Sequence, residues 1–477
     1  MYKLLFLVLL FSKLIAEEAP KPLVEMTFDH SGQLQMGEKQ LDYRGQAGTL
    51  VLKDEQGKDK GAIFYLAYFL KGVPSADRPI TFCFNGGPGA GSAWLSLGLA
   101  GPKTLSLDDL KFKSAPYSLE NNPSSLLDLT DLVFVDPIGT GLSMAAAGCD
   151  LKKVYSVEED AQIMSEFVRQ FTVKVKRWDS PKYLLGESYG GLRAILMAYR
   201  LHDIDGYYLN GLILVGPALD MQTLLYNEGN DLPYVLSLPT FAAAAKYHKK
   251  ATTPSSPEQV EAFAKGRYLQ ALFAGSSLEK KEKEDVAEQM AGMIGLSKEY
   301  ILQNELRIST SKFRKTLLAD QKKCLGRFDA RISGSALGVL DGNSDYDPSL
   351  DAVFGAVTAG MNQYLEKDFK WPEQRAYNPL VTLPSWDWGK GNQYANGLGE
   401  LRKLMTQNPE LKVFIAMGEF DLAIPSASLQ FALRHAMIPE VAQDRIYIKQ
   451  YPAGHMFYFD KDKLLDFKSD VDVIYKK

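Results

Sequence analysis

The sequence predicts an α/β fold: a mostly parallel central sheet, interrupted by a helical insertion that caps it. Three observations predict it. Short apolar runs bounded by turn residues recur as ITFCFN (80–85), LVFVDP (132–137), YLLGES (183–188) and GLILVGP (211–217). Runs this short and this apolar suit strands covered on both faces. Stretches of helical length stand among them, such as VEEDAQIMSEFVRQF (157–171) and YGGLRAILMAYRLH (189–202). Strand–helix alternation builds parallel sheets through right-handed crossovers. After Asp220 the strand pattern stops. It returns with LKVFIAMG (411–418) and RIYIKQYP (445–452).

Taken in order, the chain opens with MYKLLFLVLLFSKLIA, one early lysine followed by an apolar run. Lys13 interrupts that run, and acidic, Pro-containing EEAPKP follows. The pattern is that of a secretory signal peptide, residues 1–16, cut after Ala16. Nothing later approaches the ~18 uninterrupted apolar residues of a membrane span. An exported protein with no membrane attachment after signal cleavage is expected, periplasmic or extracellular. Residues 24–70 alternate in polarity and read as an antiparallel meander with Gly-containing turns. Residues 17–220 form the first part of the α/β core. Residues 221–370 are the mainly helical insertion, without a buried strand. AFAKGRYLQALFAG and EKEDVAEQMAGMIGL supply its amphipathic helices. Residues 371–477 are the second part of the core.

Composition removes several function classes. The 477 residues carry a net charge of −4, with 46% apolar and 23% charged residues. There is no basic stripe for nucleic acid. The mixed run from Glu279 to Asp285 reads as a solvated helix face. The three cysteines, Cys83, Cys149 and Cys324, are too few for a disulfide framework. Cys83 falls inside a strand run and reads as packing, while Cys149 and Cys324 are the pair that a bridge would join. No permitted Asn-x-Ser/Thr acceptor occurs. DGNSDYD (341–347) spaces acids like a calcium loop. It has Tyr346 and Ala352 where such a loop needs glycine and glutamate, so it reads as a plain loop. No histidine pair has metal spacing and no glycine loop suits a phosphate. No metal or cofactor is expected.

The chemistry centres on GESYG (186–190). Gly-x-Ser-x-Gly alone is a weak signal. Between a strand and a helix it reads as a nucleophile elbow, with Ser188 at the tip. Gly186 and Gly190 permit the tight turn, and the helix N-terminus favours negative charge beside it. A serine needs a base, and the order expected on such a sheet is Ser, then acid, then His. Four histidines follow. His202 ends the helix that the serine starts, His248 lies in the insertion, and His435 falls within an apolar helix pattern. His455, in YPAGHMF, lies past a strand end, where catalytic groups of open sheets collect. Asp421, in FIAMGEFD, fits the third position. One oxyanion donor is the N–H of Tyr189. FNGGPGAGS (84–92), rich in glycine after a strand, supplies the other, assigned to Gly87. A capping aspartate, a surface histidine and a plain glycine turn would explain each motif singly.

Four blocks together resemble the serine carboxypeptidase family of α/β hydrolases: NGGPGAGS (85–92), VDPIGTGLS (135–143), GESYGG (186–191) and GEFD…GHM (418–421, 454–456). The resemblance runs in order from about residue 60 to 460. It implies an α/β-hydrolase fold and Ser188, Asp421 and His455 as triad. It also implies Gly87 and Tyr189 as oxyanion donors, and Asn85 and Glu187 as the groups that bind the free carboxylate of a peptide C-terminus. A carboxyl beside a carboxylate binds it only when the two share a proton, so peptide binding should weaken as Glu187 ionises. The chain departs from many eukaryotic members. Ala90 and Gly91 replace a Cys-Ser pair, Leu99 replaces a further glutamate, and Gly190 replaces an alanine. These features, with few cysteines and no glycosylation acceptors, resemble bacterial members. An esterase or acyltransferase would use the same triad, and a binding protein could keep the fold. Asn85 and Glu187 favour peptide C-termini, since an ester needs no carboxylate clamp.

Overall fold

The computed structural model describes residues 23–54, 56–107, 114–336, 346–372, 375–389, 391 and 393–476. The signal segment 1–16 and residues 341–345 of the acidic loop lie outside them. Strands β1 (Thr27–Met36), β2 (Lys39–Lys53) and β3 (Asp59–Leu70) form the antiparallel meander. The sheet continues through β4 (Ile80–Phe84), β5 (Asp131–Val135), β6 (Met144–Ala145), β7 (Lys182–Glu187), β8 (Gly211–Val215), β9 (Lys412–Gly418) and β10 (Ile446–Tyr451). Its order is β1-β2-β3-β5-β4-β7-β8-β9-β10, with β6 paired to β3. From β5 to β10 every neighbouring pair is parallel.

Alternate residues of the central strands feed two separate cores. Ile213, Val215, Phe414 and Ala416 pack on one face, with Leu464, Phe467 and Val471 of the C-terminal helix Lys461–Tyr475. Leu212, Leu214, Val413 and Ile415 pack on the other. There they meet Phe167 and Phe171 of helix Val157–Lys174 and Ile195 and Ala198 of helix Tyr189–Asp203. Each such valine, leucine, isoleucine or phenylalanine stabilises the fold by about 1.5–3 kcal/mol on burial. Both faces are covered, which is why these strands read as continuous apolar runs.

The insertion has its own core, built from Phe241, Phe263, Tyr268, Met290 and Phe313. It also contains two strands that the sequence pattern does not foresee, Lys323–Leu325 and Ser333–Ser335, paired antiparallel. At three residues each they are too short to show alternation. Helix Pro348–Lys367, which the sequence places with the insertion, packs through Val353, Val357 and Met361 into the cluster holding Trp94 and Leu97. Cys149 and Cys324 do not pair, and all three thiols are free. Cys149 Sγ lies 3.2 Å from Lys60 O beside β3, whereas Cys324 is buried in the insertion's small sheet. Among the described residues, no helix is long and apolar enough to cross a membrane, and no three metal-ligating side chains assemble.

Candidate active site

The parallel register aligns the strand ends. Phe84 pairs with Gly186, Glu187 with Val215, and Val215 with Ala416. The residues that follow each strand therefore meet on one edge. Ser188 follows β7 at φ 58°, ψ −126°, a conformation that costs a non-glycine residue roughly 1–3 kcal/mol. The surrounding backbone holds it there. Ser188 N–H donates to Val215 O at 2.9 Å, and Ser188 O accepts from Ala218 N at 3.0 Å. Helix Tyr189–Asp203 starts immediately behind it with no side chain capping its first turn.

Asp421 and His455 arrive from the ends of β9 and β10, and both are buried. Asp421 Oδ1 accepts from Ala423 N and Ile424 N, each at 2.8 Å. Its Oδ2 accepts from His455 Nδ1 at 2.5 Å. Burial disfavours the imidazolium, but the Asp421 charge and hydrogen bond more than reverse this, so the His455 pKa lies above its ordinary value. The ring rests on Gly216, where a Cβ would stand 2.8 Å from Nδ1. Gly216 follows Val215, whose carbonyl accepts from Ser188 N, so the Asp421–His455 pair lies beside the strand end that anchors Ser188.

The glycine loop after β4 lies against the elbow. A Cβ on Gly86 would be 2.6 Å from Tyr189 N, so only glycine lets the Gly86–Gly87 peptide run beside that amide. Asn85 is fully buried and donates through Nδ2 to Glu187 Oε2, while its Oδ1 accepts from Leu95 N at 3.2 Å. Burial raises the Glu187 pKa above the usual carboxylate range, against the pull of His455, Tyr458 and Asn85.

A model of serine carboxypeptidases matches residues 37–324, more than half of the chain. The chain belongs to the serine carboxypeptidase family. As such it is a serine-type carboxypeptidase, a hydrolase acting on peptides, with an α/β-hydrolase fold. It is similar in structure to Kex1(delta)p, a prohormone-processing carboxypeptidase from Saccharomyces cerevisiae. That match has 18% identity and a TM-score of 0.56, covering 90% of this chain and 91% of that one. A thioesterase domain from the curacin biosynthetic pathway overlays with a TM-score of 0.35, at 13% identity and 90% and 98% coverage. A proline iminopeptidase from Mycobacterium smegmatis does so at 0.32, with 12% identity and 93% and 97% coverage. No curated protein matches the sequence.

The carboxypeptidase surrounds these residues with others that sequence reasoning missed. Arg193 is buried; Nη1 donates to Asn85 O and Nε to Asp160 Oδ2 at 2.7 Å. Asp160 Oδ2 also accepts from Tyr189 OH at 3.0 Å. Arg193 thus ties the elbow helix to the glycine loop through Asn85 O and to helix Val157–Lys174 through its ion pair with Asp160. An arginine inside the apolar stretch GGLRAILMAY was the available signal. Asp136, in VDPIGTGLS, accepts from Ser92 N and Oγ at 2.7 Å each and from Tyr377 OH at 2.9 Å. Burial pushes its pKa up to about 6. The insertion reaches the Asp421 and His455 loops through residues 327–330. The Phe328 ring stacks on His455 at 5.4 Å, and Phe328 O accepts from His455 N at 2.5 Å. Leu422 N donates to Arg327 O at 3.0 Å, and Gly454 N donates to Asp329 Oδ2 at 3.2 Å. No local sequence signal foretells these contacts.

Proposed function

We propose that this carboxypeptidase is exported and removes C-terminal residues from peptides through an acyl-enzyme on Ser188. His455 takes the Ser188 proton as Oγ attacks the scissile carbonyl. Asp421 holds the imidazole in the tautomer that leaves Nε2 free to accept, and stabilises the imidazolium formed. The N–H groups of Gly87 and Tyr189 receive the oxyanion. Collapse breaks the C–N bond, and His455 returns the proton to the leaving amine. Water then repeats the sequence: His455 takes its proton, hydroxide adds to the acyl carbon, and Ser188 leaves with the proton restored.

Asn85 and Glu187 hold the carboxylate of the departing residue, with Glu187 protonated. The observation that supports this most is the hydrogen-bonded Asn85–Glu187 pair, adjoining both Gly86 and Ser188 in the chain. Two carboxylates at contact cannot both stay ionised cheaply, and burial already favours the neutral form of Glu187. Peptide hydrolysis should therefore have a lower pH optimum than ester hydrolysis, which needs only neutral His455.

The test uses one blocked dipeptide as free acid, amide and ester, at about pH 5 and about pH 7.5. Ser188→Ala is the control. Preference for the free acid at the lower pH, lost in Asn85→Ala or Glu187→Gln, is expected. Cleavage of the ester alone would overturn the carboxylate clamp in favour of an esterase.

A further inference from the structure

We propose that Tyr458 is a positioning residue for recognition of the peptide C-terminus: its hydroxyl holds Glu187 and sets how readily that carboxyl keeps the proton it shares with substrate. The proposal rests on the carboxylate-binding role of Glu187 given above. Tyr458 lies three residues after His455, on the turn Phe457–Phe459. Its hydroxyl donates to Glu187 Oε1 at 2.5 Å. Asn85 Nδ2 serves Oε2, so each carboxyl oxygen has one donor, from different chain segments.

The ring that carries the hydroxyl has little freedom. It is buried, and a Cβ on Gly98 would be 2.6 Å from Tyr458 Cε2. Phe457 and Phe459 lie against it, with ring centroids 5.8 Å and 4.9 Å away. Glu187 cannot rotate without breaking a hydrogen bond from Tyr458 or Asn85, and an unpaired buried acceptor is costly. The carboxyl plane is thereby set before substrate arrives, which reduces the ordering cost of binding.

The same bond has a sign. The groups that face Glu187 are Asn85 from the loop after β4, Tyr458 from its turn, His455 from the loop after β10, and Asp421 behind it. Leu99, buried in the helix Leu95–Ala100 that meets Tyr458 through Gly98, is apolar and brings no second carboxyl. Tyr458 and Asn85 are donors, and a donor favours the ionised carboxyl. Burial raises the phenol pKa, so the hydroxyl stays a donor across the working range. Without it, Glu187 should hold its proton to higher pH. A loss of packing alone would not move the free-acid substrate in that direction while leaving the ester in place.

The experiment measures kcat/KM against pH for the free-acid and ester forms of one blocked dipeptide, in wild type, Tyr458→Phe and Glu187→Gln. In Tyr458→Phe the alkaline limb should move to higher pH for the free acid only. The free-acid to ester ratio above that limb should rise roughly tenfold, the equivalent of one charge-assisted hydrogen bond. KM for the free acid at low pH should increase while kcat holds. Incorporation of 3-fluorotyrosine at position 458, a stronger donor, should move the limb the opposite way and covers the case in which the phenylalanine variant fails to fold. A limb lost in Glu187→Gln but unmoved by both changes at 458 overturns the role of Tyr458 alone. A limb that moves for ester and acid together also overturns it, since the hydroxyl would then act on His455. A limb that survives in Glu187→Gln overturns the carboxylate reading on which the proposal stands.

Discussion

Asp421→Asn tests the tautomer argument most directly. Oδ1 of Asp421 faces two amide donors, Ala423 N and Ile424 N, each at 2.8 Å. Oδ2 faces His455 Nδ1 at 2.5 Å. An asparagine carbonyl would keep the two amides, because the flipped orientation would aim its NH₂ at both and lose two hydrogen bonds of about 1 kcal/mol each. The NH₂ is then directed at His455. Nδ1 must become the acceptor, and the ring hydrogen moves to Nε2. An imidazole with Nε2–H cannot take the Ser188 proton, and the charge that stabilises the imidazolium is also gone. The expected loss in kcat near neutral pH is on the order of 10⁴-fold, about 5.5 kcal/mol of barrier. The assay is ester hydrolysis, with fluorophosphonate labelling of Ser188 as a second readout and thermal unfolding as control. A folded variant that loses less than about tenfold would refute the argument.

Gly216→Ala should cost roughly 100-fold in kcat/KM by pushing the His455 ring aside, since the new methyl would stand 2.8 Å from Nδ1; structure determination of the variant would check the displacement. Arg193→Met should destabilise the fold by about 3–5 kcal/mol in urea unfolding, because buried Asp160 loses its cation. Arg327→Gln should move the acid limb of ester hydrolysis to higher pH, because that cation now lowers the His455 pKa; added salt should shrink the difference between the two proteins. Burial pushes the Asp136 carboxyl up to about 6 in the folded protein, from an ordinary value of 3.8, so the folded protein binds the extra proton between those values. Its contribution to stability is present below about pH 4 and falls by about 3 kcal/mol as pH rises through 6. Denaturant unfolding from pH 4 to 7 should show this slope, and Asp136→Asn should flatten it.

The central strands were legible because both faces of the sheet are covered. That burial makes Leu212 to Val215 and Val413 to Met417 continuous apolar runs, bounded by glycine, asparagine or charged residues. The helices around them were legible from their spacing and polar faces. The short strands Lys323–Leu325 and Ser333–Ser335 were not, since a three-residue strand carries no period. The elbow at Ser188, the glycine loop from Asn85 and the late Asp421 and His455 stood out because each needs a particular residue type just after a strand. Arg193 left only a trace, a charge within an apolar helix. Tyr458 and Phe328 left none, because phenylalanine and tyrosine look the same in a core as in a site.

By itself, then, the sequence determined the long central strands of the sheet, though not the two-residue Met144–Ala145, and which residues stand at their ends, and that three cysteines are too few for a disulfide framework. Those properties are local: periodicity, turn chemistry and composition act over a few residues. Only the tertiary structure decided that Cys149 and Cys324 stay apart, that helix Pro348–Lys367 packs beneath Trp94, and that residues 327–330 brace both the Asp421 and His455 loops. It also decided that Tyr458 and Asn85 share the two oxygens of Glu187. The Asn85–Glu187 contact depends on the register of the parallel strands, and with Tyr458 it joins residues 102 and 271 positions apart in the chain. No local rule encodes that distance; packing of the whole sheet does.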